Sequence, residues 1–288
     1  MVFSSWLRIP TGLVSNSVQD GAMTIGKPDN LLDEASFWHF GGRSPEAVSD
    51  TFYLEALEEE PLPYPGPKLI NASYGHCAIN TRLHLESLND SITSQVLLIG
   101  GNPHGQSVKT YCKQQNSINN ALCKGGGADE FAWRDFKDLK EERIGHICTA
   151  FEHETEGLTI LVTNGNSSNS TEIFLVEKCS TCESNCEKIC DWSYELNDKP
   201  FTWMGGPPVT DSAMQTLNGI PTIFGGLQFD GIEEASESYR LYHLREVDDE
   251  FEWYPNSYTL KDARQRHSVV AVPLSFLCAE EETTSTER

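Results

Sequence analysis

The sequence predicts an all-β fold in which a four-stranded unit recurs four times, and three observations carry that reading. An apolar run ending in two glycines, or a close variant, occurs as Phe37-Trp38-His39-Phe40-Gly41-Gly42, Val96-Leu97-Leu98-Ile99-Gly100-Gly101, Ile160-Leu161-Val162-Thr163-Asn164-Gly165 and Thr222-Ile223-Phe224-Gly225-Gly226. Its first glycine, or the Asn in its place, returns at intervals of 59, 64 and 61 residues. With 22 Gly in the chain a Gly-Gly pair arises by accident, but a near-constant interval does not. A second strand-like run stands before each of these and advances with it.

Taken in order, the first strand of each unit opens as Gly21-Ala22-Met23-Thr24-Ile25, Gly75-His76-Cys77-Ala78-Ile79, Gly145-His146-Ile147-Cys148-Thr149 and Asp211-Ser212-Ala213-Met214-Gln215, with a further opening at Arg266-His267-Ser268-Val269-Val270. The spacings are 54, 70, 66 and 55, so 245 residues hold four periods averaging about 61. The second strand is the diglycine run, where glycine permits positive φ or a close approach of neighbouring backbone. Asn164 tolerates the left-handed region nearly as well, so the turn of the third unit is expected to survive. Third strands follow at Thr51-Phe52-Tyr53-Leu54, Thr110-Tyr111, Glu172-Ile173-Phe174-Leu175-Val176 and Tyr239-Arg240-Leu241-Tyr242. The fourth centres on Trp133, Trp203 and Trp253; the first unit instead carries a Pro-rich acidic stretch from Leu57 to Pro67, which predicts a short or irregular strand.

One such sheet cannot bury both its faces, whereas radial stacking of several buries them against one another. The pattern resembles the kelch-repeat β-propellers, of the galactose-oxidase-like central type, through Gly75-His76, Gly145-His146, Val96 to Gly101, Tyr242 and Trp253. The resemblance covers nearly the whole chain, roughly 21–272, and is specific for fold rather than function. It implies one propeller over 1–278, with units 21–74, 75–144, 145–210 and 211–265, terminal strands near 4–10 and 266–278, and a polar, acidic tail over 279–288 whose composition predicts disorder. Trp6 reads as the last strand of an earlier blade, and His267 to Cys278 as the opening of a later one. A chain shortened at its N-terminus relative to a six- or seven-bladed ancestor is the expected explanation, and a degenerate five-bladed ring is the alternative.

Lys and Arg number 21 against 43 Asp and Glu, a formal net charge of −22 in 288 residues. That balance speaks against nucleic acid and anionic membranes as partners, since both need a basic face. No run approaches the 18 apolar residues of a membrane span. Four sequons begin at Asn71, Asn89, Asn166 and Asn169, each in or beside an expected loop, and are candidate glycosylation sites. The first ten residues have neither the charged start nor the apolar core of a signal peptide. An extracellular location is therefore expected only together with a missing N-terminal segment.

Nine cysteines carry further information. Cys179, Cys182, Cys186 and Cys190 cluster between the third and fourth strands of unit three, and Cys112 and Cys123 occupy the corresponding stretch of unit two. Disulfides are the leading reading of these six; zinc and free thiols are the alternatives, because only Cys179-x2-Cys182 has the spacing of a zinc pair. Cys77 and Cys148 fall in first strands, where small buried packing residues are expected. Cys278 is placed to pair with one of them or outside the domain.

The common nucleophile-elbow, phosphate-loop, zinc-protease and dinucleotide motifs are absent from the sequence. His76, His146 and His267 share one repeat position, which predicts a structural role in each blade. Copper oxidases that resemble kelch propellers need a Tyr crosslinked to Cys with further Tyr and His ligands, and no such set is identifiable here. The expected function is thus non-enzymatic: a scaffold that presents loops to a protein or glycan partner, with no cofactor. A propeller enzyme acting on a small molecule or sugar, oxidase-like or isomerase-like, is the alternative. The expected binding loops are 43–50, 102–109, 166–171 and 227–238, with 65–74, 204–210 and 255–265, and Phe229, Tyr258 and Arg264 are the candidate anchors.

Overall fold

A computed structural model describes residues 20–26, 28, 36–55, 63–81, 96–113, 131–153, 157–165, 171–175, 193–194, 209–210, 212–229, 235–237, 240–247, 250–263 and 269. The first blade is β1 (Ala22–Ile25), β2 (Ser36–Phe40), β3 (Thr51–Glu55) and β4 (Tyr64–Pro65). The second is β5 (Cys77–Asn80), β6 (Val96–Ile99), β7 (Val108–Lys113) and β8 (Phe131–Asp135). The third is β9 (Ile147–His153), β10 (Gly157–Thr163), β11 (Thr171–Leu175) and β12 (Ser193–Tyr194). After β13 (Val209–Thr210) come β14 (Ala213–Leu217) and β15 (Ile220–Phe224), then β16 (Leu227–Phe229) and β17 (Ala235–Glu237), then β18 (Arg240–Val247) and β19 (Glu250–Thr259). The fourth blade is ordered β14-β15-β18-β19, and β13-β16-β17 form a separate three-stranded sheet. Every pairing is antiparallel, and the four blades stand around a central channel as a β-propeller.

Burial along the second strands explains why they differ in sequence. In β2 the residues alternate, with Ser36, Trp38 and Phe40 buried and Phe37 and His39 half-buried, as a sheet packed mainly on one face requires. All four residues of β6 are buried, because Val96 and Leu98 face the first blade while Leu97 and Ile99 face the third. A strand sandwiched on both sides therefore reads as an uninterrupted apolar run.

Three seams hold the array together, one between each pair of successive blades. Trp38 and Phe40 meet Val96, Leu98 and Tyr111 in the first, where Trp38 lies edge-on to Tyr111 at 5.0 Å between ring centroids. Leu97 and Ile99 meet Ala150, Leu158 and Ile160 in the second. Ile147 and Phe151 meet Ile223, Tyr242 and Trp253 in the third. Polar bonds between inner strands accompany the apolar ones: Asn80 Nδ2 donates to the Ile25 carbonyl at 2.9 Å, and the Thr149 and Thr216 hydroxyls bond at 2.9 Å.

Four expectations need correction. The first unit opens at Asp20 rather than Gly21, because Asp20 has φ 57° where Gly75 and Gly145 have 66° and 67°. Gly21 therefore occupies the place of His76. The fourth strand of the third blade is β12 at 193–194, whereas Trp203, its expected centre, lies outside the described residues. Residues expected as the loop 227–238 form β16 and β17, and β13 from the loop 204–210 pairs with β16. Strand β19 runs to Thr259, so Tyr258 is a strand residue rather than part of a loop that begins at Pro255.

The diglycine has a physical explanation in the seam that it borders. Gly41 and Gly100 have φ 49° and 61°, and a Cβ on Gly100 would stand 2.5 Å from His146 Cε1 and 2.8 Å from the Arg143 carbonyl oxygen of the next blade. Gly219, in the hairpin between β14 and β15, has φ 78°, but a Cβ there would meet nothing within 4 Å. Gly219→Ala is expected to cost about 1 kcal/mol from backbone strain alone. Gly100→Ala adds a steric clash and is expected to cost about 3 kcal/mol or more in urea unfolding. Equal losses for the two variants would remove the packing argument.

Candidate functional site

The inner strands β1, β5, β9 and β14 begin on one face of the propeller, and their first residues line an axial channel of about 120 Å³. Strands two and three, and strand four and the next blade, are joined on this same face. Asp20, Gly75 and Gly145 form the mouth, and Met23, Ala78, Cys148 and Met214 lie further along the wall. Opening residues are chained together: Gly75 N–H donates to the Asp20 carbonyl and Gly145 N–H to the Gly75 carbonyl, each at 2.7 Å.

His76 and His146 wedge into the seams beside this channel. His76 Nε2–H donates to the carbonyl of Phe40, the residue before the diglycine of the preceding blade, at 3.1 Å. That bond leaves Nδ1 as the unprotonated nitrogen of the neutral ring. His146 stands at the same place in the next seam, with the Ile99 and Arg143 carbonyls against its ring, although neither nitrogen reaches a partner with good hydrogen-bond geometry. A second link repeats beside each ring: Gly42 N–H donates to the Ser73 carbonyl at 2.8 Å and Gly101 N–H to the Arg143 carbonyl at 2.9 Å. Ser73 and Arg143 each stand three residues before the wedged histidine.

Burial sets the charge state of these rings. It lowers His76 to about 4, against a smaller opposing effect of the Phe40 bond, with the neighbouring His39 lowering it further. It lowers His146 to about 3, helped by the Arg143 charge, and it lowers His39 to about 4. All three are therefore neutral at pH 7. His76 and His146 thus serve the seams as uncharged wedges rather than as a basic site, while His39 stacks on Phe52 of its own blade.

Arg143 makes the deepest electrostatic contact. Its Nε donates to Glu172 Oε1 at 3.1 Å with both side chains fully buried, and its Nη1 donates to the Asn164 carbonyl at 2.9 Å. Glu172, on β11, also accepts from the Lys140 and Glu141 amides at 2.8 and 3.2 Å. One carboxylate thus pins the whole connection from the second blade into the third. No sequence signal points to this pair, since the partners are 29 residues apart in different units.

The cysteine expectations divide. Cys77 and Cys148, expected as packing residues, are joined in a disulfide between the inner strands of the second and third blades, with Cα atoms 6.1 Å apart. Cys112 lies in β7, and Cys123, Cys179, Cys182, Cys186, Cys190 and Cys278 lie outside the described residues. Among the described residues, no three His, Cys, Asp or Glu side chains are grouped as metal ligands.

On the loop face, Arg43 Nε pairs with Asp20 Oδ2 at 2.7 Å and its guanidinium lies 5.2 Å from the Tyr74 ring centroid. This ties the second-to-third-strand loop of the first blade to the channel mouth. Asn71 is exposed in the connection between the first two blades; Asn89, Asn166 and Asn169 lie outside the described residues. Tyr258 is 66% exposed and sits where β19 carries extra residues opposite Arg240 to Tyr242, a β-bulge closed by its own N–H donating to Asn256 Oδ1 at 3.0 Å. Phe229 ends β16, and Arg264 and His267 lie outside the described residues.

No family model matches the chain, and no curated protein matches it. A solved structure titled "Structure of YjhT" aligns with a TM-score of 0.45 at 9% identity, covering 88% of this chain and 87% of that one.

Two outcomes follow from these contacts. Between pH 6.5 and about 4, the unfolded chain binds protons that buried His39 and His76 refuse, so stability is fully present above pH 6.5 and falls as the pH drops towards 4, with His146 extending the loss to about 3. The effect is on the order of 3 kcal/mol for His76. Urea titrations across this window should show it, and a flat profile would show that the rings take up protons in the fold as readily as in the unfolded chain. Glu172→Ala leaves Arg143 buried without its carboxylate and is expected to cost about 3–5 kcal/mol in the same assay.

Proposed function

We propose that the chain is a non-enzymatic binding scaffold whose loop face recognises a protein or glycan partner in an extracellular setting. The observation that carries this reading is Tyr258, an aromatic side chain left 66% exposed on a bulge of the outer strand of the fourth blade. An exposed tyrosine costs little entropy to order and offers both an apolar surface and a hydroxyl, which makes it a common anchor. Ile70, 54% exposed, belongs to the same face, being in the connection from the first blade to the second. Bulges also re-aim side chains where strands approach functional surfaces.

The chemistry at the axis supports the same reading. Neutral His76 and His146 are committed to the seams, so the groups that face a ligand belong to the loops rather than to the channel wall. The Cys77–Cys148 disulfide and the exposed Asn71 sequon support an oxidising, secretory environment. The Gly-His openings and diglycines support placement among the kelch-type propellers. Phe229 and Arg264 remain proposed anchors beside Tyr258.

The test is a screen of the immobilised chain on a glycan array and an extracellular-protein library. Tyr258→Ala is expected to weaken the bound partner by about tenfold or more. The melting temperature should stay unchanged, because the side chain packs against little. Full retention of binding by this variant, or turnover of a sugar or small molecule that follows the channel residues, would overturn the reading.

A further inference from the structure

We propose that the Cys77–Cys148 disulfide is a site of reversible exchange with a low-molecular-weight thiol, which enters by the axial channel and becomes bonded to Cys77. In each seam the first residue of one inner strand shares a cluster with the second residue of the next. The pair is Ala22 and Ala78 in the first seam, and Ile147 and Met214 in the third. In the second it is Cys77 and Cys148. Apolar side chains thus fill this position in two seams out of three, and packing alone joins the blades there. The covalent bond adds a chemistry that the architecture does not require.

The second seam also has links that survive opening of the disulfide. Gly145 N–H donates to the Gly75 carbonyl at 2.7 Å, and Gly101 N–H donates to the Arg143 carbonyl at 2.9 Å. Leu97, Ile99, Ala150 and Ile160 pack across the same boundary. With the sulfur–sulfur bond broken, β5 and β9 therefore stay side by side and Cys148 stays next to Cys77.

Access comes from the channel, which both cysteines line. Its volume of about 120 Å³ admits the sulfur end of a small thiol and excludes a folded protein. Gly75 and Gly145, which open the two strands that carry the cysteines, place no side chain at the mouth. Cys77 is half-buried and Cys148 is buried, so Cys77 is the sulfur that is attacked. The incoming thiolate forms a bond to Cys77 Sγ as the bond from Cys77 to Cys148 breaks. The electron pair of that broken bond leaves on Cys148 Sγ, which takes up a proton, and nothing beyond the thiol is consumed. Held beside Cys77, the Cys148 thiol can attack the mixed disulfide, expel the small thiol and restore the original bond.

The test treats the full-length, folded chain with 2-mercaptoethanol, blocks new thiols with N-ethylmaleimide and maps the peptides. Cys77 should carry the mercaptoethanol and Cys148 the maleimide, with the circular dichroism of the folded chain retained. The rate should rise with thiol concentration and change less than about twofold in urea below the unfolding transition, because the native state itself reacts. When the free thiol is removed without maleimide, the Cys77–Cys148 bond should return and the adduct disappear. A rate that climbs about tenfold or more over the same urea range would show that only unfolded chains react, and would overturn the proposal. Mercaptoethanol on Cys148, an adduct that persists after the free thiol is removed, or loss of the fold on exchange would overturn it too.

Discussion

The first two seams of this propeller each depend on one steric arrangement: a histidine from one blade lies where the preceding blade has no Cβ. Gly41 leaves room for His76, and Gly100 leaves room for His146. Removing the side chain lets two backbones and a ring converge, so the carbonyl before the glycine meets the imidazole and the amide after it meets the next connection. Burial then keeps the ring neutral, which avoids placing a charge in an apolar seam. Apolar packing around Trp38 and Ile160 supplies the area of these two seams, but the glycine and histidine fix how far apart the blades stand.

The third seam has Asn164 and Ser212 in place of the glycine and histidine, and all three are reinforced differently. The first carries a hydrogen bond donated by the Asn80 side-chain amide, the second a disulfide and a buried ion pair, and the third a pair of threonine hydroxyls. The second is the most heavily constrained. Its disulfide closes a separation of 71 residues, and Glu172 satisfies an arginine and two backbone amides at once. A buried ion pair of this kind is weak evidence of added stability but makes the loss of either partner costly.

Much of this was legible in the chain. The diglycine runs became β2, β6, β10 and β15, and Asn164 took φ 63° as its side chain allows. Short strands were harder, since β12, β13 and β16 have two or three residues and no alternation long enough to recognise. Asp20 hid the register of the first unit, because it takes the left-handed conformation that glycine signals elsewhere. The disulfide was hidden for a different reason. It joins the first residue of one inner strand to the second of the next, a one-step offset that depends on how neighbouring blades are staggered. The same holds for the proposed site: Tyr258 could be read from the sequence as an aromatic near the end of a blade, whereas the bulge on which it is exposed arises from the pairing of β18 with β19.

The small sheet of β13, β16 and β17 bears on how the loop face can vary. Strand β13 is the exit from the third blade, and it pairs with the segment that leaves the second strand of the fourth. The same link exists as a single bridge, Tyr74 with Asn102, where the first blade hands over to the second; here it is extended into a three-stranded sheet. An insertion in either connection would have to be accommodated by both, and the connection at 43–50 is likewise tied, through Val48 and Ser49, to Ser73 and Leu69 of the exit from its own blade. Sequence change over evolutionary time should accordingly be tolerated least where the third blade hands over to the fourth, since there the link is a sheet rather than single bonds.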